Sequence, residues 1–153
     1  MEFKALSLSA AVLLASCVLT LATITPAAGA APHVKVAEGW VRAPAPGQKT
    51  ASAYVALTSD TNAALVAAGS PAAASVELHS MSMQDGIMRM RAMPRIELPA
   101  GKTVKLAPGG LHLMLVDLKQ PLKAGDTVTL HLSVQETGPA RGMSLTALEV
   151  RVP

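Results

Sequence analysis

Asp85-Gly86 is the dipeptide that most constrains how this chain folds. An Asp-Gly pair readily takes the left-handed backbone of a two-residue type I′ turn, and such a turn sets both a hairpin and its register. The flanking runs Val76 to Met83 and Ile87 to Met93 read as the two strands. With Gln84 and Ile87 as the first pair beyond the turn, Met81 faces Met90, Met83 faces Met88, and His79 lies diagonal to Met90. A side-chain period of two then places His79, Met81, Met83, Met88 and Met90 on one face. Opposite Cβ atoms on that face sit about 5 Å apart and diagonal ones about 7 to 8 Å, within reach of long side chains.

Six of the eight methionines and two of the four histidines fall between His79 and Met114. His112 and Met114, at i and i+2, share one face of a third candidate strand, so one metal could be held between hairpin and strand. Thioether sulfur is a soft, neutral donor suited to Cu(I), and imidazole serves copper, zinc, iron and nickel alike. A mixed methionine and histidine set without thiolate or carboxylate therefore points to Cu(I), whereas zinc favours Cys, His or carboxylate. Neutral imidazole is the ligating form, so binding should weaken as pH falls.

The remainder reads as an all-β sandwich or barrel. Further strands are expected at Val34 to Arg42, Ala51 to Leu57, Ala64 to Ala68, Thr103 to Leu106, Leu111 to Leu115, Thr127 to Val134 and Ser144 to Val152, with the first hairpin strand starting at Ser75. Turn signals at Ala43 to Gly47, Ser59 to Asn62, Ser70-Pro71, Pro99-Ala-Gly101, Pro108-Gly-Gly110, Lys123-Ala-Gly125 and Gly138-Pro139 divide them. No convincing helical periodicity follows residue 30, although the alanine-rich segment from Asn62 to Ala68 leaves a short helix open.

Residues 1–30 read as a signal peptide: Lys4 supplies a basic start, Ala5 to Ile24 is a largely apolar run, and Ala28-Gly29-Ala30 offers a cleavage site. Two other readings compete with cleavage there. Leu14-Ala-Ser-Cys17 resembles a lipobox, which would make Cys17 a lipidated N-terminus, and the apolar run is just long enough to serve as an uncleaved anchor. The hydrophobic stretch Val18 to Ile24 after the cysteine argues against the lipobox. Residues 31–153 then form one domain of ordinary size. Cleavage would also remove the only cysteine, which excludes disulfides, blue-copper chemistry through a Cys ligand and thiol redox catalysis. The formal surplus of three positive charges is small and dispersed, and Trp40 and Tyr54 are the only aromatics after the leader, a poor basis for binding nucleic acid.

Position alone does not make every soft side chain a ligand. Met83, Met88, Met93 and Met143 are expected in the core or on the surface, since methionine is a flexible filler. His33 and His131 read as ordinary strand residues, and Trp40 and Tyr54 as core anchors. Arg89, Arg91 and Arg95 read as a solvated face. Both donor segments flank turns, which puts the candidate site near one end of the barrel, partly open to solvent. No Ser, His and Asp arrangement, phosphate-binding Gly-rich loop or carboxylate pair suggests an enzyme.

Counted from His79, the donors fall in the pattern H-x10-M-x21-H-x-M, ending at Met90, His112 and Met114. The pattern resembles the copper-binding motif of the PCu(A)C family, periplasmic Cu(I) chaperones associated with assembly of the copper A centre of cytochrome c oxidase. The words Val76-Glu-Leu-His79, Met88-Arg-Met-Arg91, Pro108-Gly-Gly-Leu-His-Leu-Met114 and Pro121-Leu-Lys-Ala-Gly-Asp126 are similar too, so the likeness spans Val34 to Val152. The resemblance implies a cupredoxin-like Greek-key barrel and Cu(I) ligation by His79, Met90, His112 and Met114, with Met81 and Met83 unassigned. It also implies a copper-accepting partner, such as a cytochrome c oxidase subunit or another copper assembly protein. A copper-buffering or resistance protein without a dedicated acceptor, and a β module that binds no metal, are the alternatives.

Overall fold

The computed structural model describes residues 32–138 and 142–153. The expected leader, its cleavage site and Cys17 lie outside the described residues. Ten strands follow in order: β1 (Val34–Arg42), β2 (Ala51–Ser59), β3 (Ala63–Gly69), β4 (Ala73–Gln84), β5 (Ile87–Ala92), β6 (Ile96–Leu98), β7 (Thr103–Lys105), β8 (Leu111–Leu118), β9 (Thr127–Glu136) and β10 (Met143–Arg151). No helix occurs among the described residues, and the alanine-rich segment that left one open is strand β3. The expected all-β class holds, and the expected strands appear with their ends moved by a few residues. Strand β6 was not anticipated, because three residues between Pro94 and Pro99 carry too little pattern to register.

Seven strands close into a barrel in the order β4-β8-β2-β1-β10-β9-β3, with β3 returning to β4 through Ala68 and Val76. All pairings are antiparallel except β1 with β10. Closure removes exposed barrel edges, and the alternating side chains fill the interior. Val41, Ala53, Val55, Leu57, Leu65, Leu113, Leu115, Leu130, Leu132 and Val134 are all within 1% of complete burial there. Burying each such Leu or Val contributes about 1.5 to 3 kcal/mol before entropy is counted.

Two local departures from regular strand geometry position the candidate site. Strand β1 bulges between Ala37 and Trp40, with Glu38 at a φ of 51°. Gly39 is required there, since a Cβ would collide with Val150 Cγ1. Beyond the bulge Val41 enters the core and Trp40 turns to the outer wall. The second departure is the Asp85-Gly86 turn, with φ of 53° and 75°, the left-handed pair of a type I′ turn. Strand β4 pairs with β8 from Ala73 to Ser80 and with β5 from His79 to Gln84, so the β4–β5 hairpin projects past the barrel rim.

Candidate metal centre

Leu78, Leu113 and Leu115 point into the core, so the residues alternating with them face outward. Strand pairing assembles those outward side chains into rows. His79 on β4 lies directly opposite His112 on β8, with ring centroids 5.7 Å apart. The row continues through Tyr54 on β2, 6.5 Å from the His112 ring, to Trp40 on β1, 4.5 Å from the Tyr54 ring. One rung toward the hairpin tip, Met81 pairs with Met90, and beyond them Met83 pairs with Met88. One rung the other way, Met114 pairs with Glu77 and Ser52.

Thus the register expected from Asp85-Gly86 holds, and His79, Met90, His112 and Met114 are brought together on one face. Two residues along a strand advance about 7 Å, so the two thioethers flank the histidine row from opposite sides. Three rotatable bonds let each bend over it.

The imidazoles carry the most specific feature. His112 Nδ1 lies 3.1 Å from the carbonyl oxygen of Gly110, and His79 Nε2 lies 2.8 Å from Glu77 Oε2. A carbonyl or carboxylate oxygen only accepts here, so these nitrogens carry the protons. The lone pairs therefore sit on His112 Nε2 and His79 Nδ1, and both atoms are buried with no hydrogen-bond partner among the described residues. Leaving buried polar atoms unpaired costs about 1 to 3 kcal/mol each. Two such atoms on facing rings, each ring fixed through its other nitrogen, match the way metal-bound histidines are oriented. No group of three or more His, Cys, Asp or Glu side chains placed to hold a metal ion occurs among the described residues, and the Glu77 carboxylate is engaged by the protonated nitrogen of His79, so the uncommitted donors beside the imidazoles are thioethers.

Burial grades across the site. His112 is 3% exposed, while Met90 is 44% exposed. The carbonyl of Gly110 accepts from both His112 Nδ1 and the Met81 amide, at 3.0 Å for the latter, and so ties the base of the hairpin to the loop before β8. A surface cleft of about 490 Å³ between 44–49 and 118–123 holds none of the donors, and another of about 340 Å³ is lined by Met114 alone among them. A bare ion requires donors rather than a cavity.

Residues 34–144 match the family model described as "Putative lipoprotein LpqE-like". The chain belongs to the LpqE-like family. A relative in Leifsonia xyli subsp. xyli, "Putative lipoprotein Lxx21020", is 41% identical to this LpqE-like protein over 109 residues, covering 69% of the chain and 66% of the relative. The match therefore spans just under two thirds of that relative's length. Among solved structures, the copper-bound PCuAC domain of PmoF2 is similar with a TM-score of 0.58 and 25% identity, over 78% of this chain and 93% of that one. The Cu(I) form of DR1885 from Deinococcus radiodurans is similar with a TM-score of 0.55 and 30% identity, over 82% and 81%. The resemblance to PCu(A)C proteins thus extends from the spaced donors of the LpqE-like chain to its barrel.

Three features of the site were missed in the sequence. Glu77 shares a face with His79 by simple alternation, and that signal was available. Gly110 as an acceptor depends on loop geometry. Trp40 and Tyr54, expected as core anchors, face the outer wall beside His112, where Tyr54 is buried at 5% exposure and Trp40 is partly exposed, with the Arg42 guanidinium 5.9 and 5.8 Å from the Trp40 and Tyr54 ring centroids. Ala53, Val55 and Val41 hold the inward positions on those strands, and the bulge at Glu38 sets the parity of Trp40.

Proposed function

We propose that this LpqE-like protein is an exported Cu(I)-binding metallochaperone, and that His79, Met90, His112 and Met114 hold the ion. The observation that carries the proposal is the pair of buried, unpartnered imidazole nitrogens between two thioether rungs. Copper in the PmoF2 domain and Cu(I) in DR1885 support it. Cu(I) is cargo here: thioethers are neutral and soft, the site opens toward the hairpin, and an acceptor's ligands attack before the old ones leave. No substrate is turned over. The PCu(A)C likeness supports delivery to a copper-accepting protein, toward the copper A centre of cytochrome c oxidase.

The test is an anaerobic Cu(I) titration of the chain from Ala31 to Pro153 in competition with a chromogenic chelator. One tight equivalent, lost in both His79→Ala and Met114→Ala, is the expected result. Failure to compete with the chelator would leave a β domain that binds no metal. For delivery, a loaded protein should transfer copper to the soluble copper A domain faster than free chelated Cu(I) does, and equal rates would favour buffering.

The lipoprotein description shared by the family and its relative supports acylation of Cys17 over cleavage after Ala30. Membrane attachment would keep the carrier beside a membrane-bound acceptor. Expression with a labelled fatty acid should tag the wild-type chain and leave Cys17→Ala unlabelled; an unlabelled wild type would restore simple cleavage.

A further inference from the structure

Beyond the histidine row the hairpin carries soft donors that this assignment does not use. Met83 pairs with Met88 at the tip, and Met81 completes the face behind them. Core packing does not explain the tip pair: Met83 is 64% exposed, Met88 50%, and neighbouring Ile87 58%. Strand propensity does not explain it either, because β-branched and aromatic residues serve an exposed strand better than methionine does. β5 pairs only with β4, and its residues are exposed throughout.

We infer that Met83 and Met88, with Met81 as a third donor, form a second, outer Cu(I) site built from thioethers alone. Directly opposed Cβ atoms about 5 Å apart allow two flexible thioethers to converge on one ion. Thioethers suit Cu(I) and select against harder cations. The donors then form a ladder whose exposure falls inward, from Met83 through Met90 to His112 at 3%. An ion captured at the tip moves one rung at a time by ligand exchange: a sulfur on the next rung binds as one on the last lets go, with no change of oxidation state and no proton released, since the imidazole nitrogens it reaches already carry free lone pairs. Outer binding stands on the tip geometry by itself, whereas the relay rests on the inner site proposed above.

The experiment uses chain carrying ¹³C-labelled methionine methyl groups, titrated with Cu(I) under anaerobic reducing conditions. Met83→Leu/Met88→Leu assigns the tip signals, and His112→Ala removes the inner site. Leucine conserves volume at exposed positions, so the fold is retained. Expected are two equivalents: a tight one that shifts Met90 and Met114, then a weaker one that shifts Met83 and Met88. The tip double variant loses the second equivalent alone and loads the first more slowly, while His112→Ala keeps the tip shifts. A single equivalent that leaves Met83 and Met88 unmoved and disappears in His112→Ala would overturn the outer site and leave the inner one standing. Tip shifts with binding unaffected by His112→Ala would uphold the outer site and overturn the inner. No shift at any methionine would overturn both.

Discussion

Strand β4 passes through two environments that place opposite demands on its side chains. From Ala73 to Leu78 it is part of the barrel wall, paired with β8 and touching β3, and Val76 and Leu78 are buried in the core. From His79 its other partner is β5, and every residue from Ser82 to Ala92 is exposed. The wall supplies rigidity through many buried contacts, and the arm supplies reachable donors that pack against little. His79 stands at the boundary. The site proposed there takes His79, His112 and Met114 from the wall and Met90 from the arm, which is a suitable division for a site that must both hold an ion and release it.

The largest effect expected from breaking this division lies in the wall. Leu113 is fully buried beside His112, and Leu113→Ala should cost about 2 to 5 kcal/mol of unfolding free energy, read by denaturant titration. Met88→Ala on the arm should change it by no more than about 0.5 kcal/mol. Comparable losses from both would mean that the hairpin belongs to the cooperative core. His112→Ala comes next: it should abolish tight Cu(I) binding with the fold intact, since the residue's outward ring packs on the wall rather than in the barrel. Unchanged affinity in that variant would remove His112 from the site.

Glu77 sharpens the comparison at the level of orientation. Its carboxylate accepts from His79 Nε2, so Glu77→Ala frees the ring to rotate and to change tautomer. Partners of this kind are worth about 10-fold to 100-fold in metal affinity, and because Glu77 is 51% exposed the lower end is expected. Glu77→Gln keeps an acceptor at the same place and should lose less. Equal losses in the two variants would point to the negative charge, not the hydrogen bond, as the contribution.

How much of this was legible in the chain depends on how local the cause is. The hairpin register was readable because two adjacent residues set it: only Asp85 and Gly86 had to be recognised. Strands with clear alternation, such as Thr127 to Val134, were readable for the same reason. Barrel closure through a single Ala68 and Val76 pair, the parallel meeting of β1 and β10, and the pairing of His79 with His112 join segments far apart in sequence, and no local pattern announces them. Trp40 was expected in the core from the size of its ring, and the bulge at Glu38, which sets its parity on β1, has no signature in residue size. The four donors were legible as a set only through their spacing; the unpaired nitrogens that support the assignment became visible once the strands were laid side by side.

The smallest expected difference falls within one rung. Met81 and Met90 are directly opposed, and both neighbour the histidine row: Met81 is two residues from His79 on the same strand, and Met90 lies diagonal to it across the hairpin. Burial favours Met81, which is half-buried, whereas Met90 is 44% exposed. Motif spacing favours Met90. If spacing reports the ligand, Met90→Ala weakens Cu(I) binding more than Met81→Ala in the same chelator competition, and Met81 serves as the neighbouring donor toward the tip. The reverse order would transfer the ligand role to β4, place all four donors on β4 and β8, and leave β5 to capture the ion without holding it.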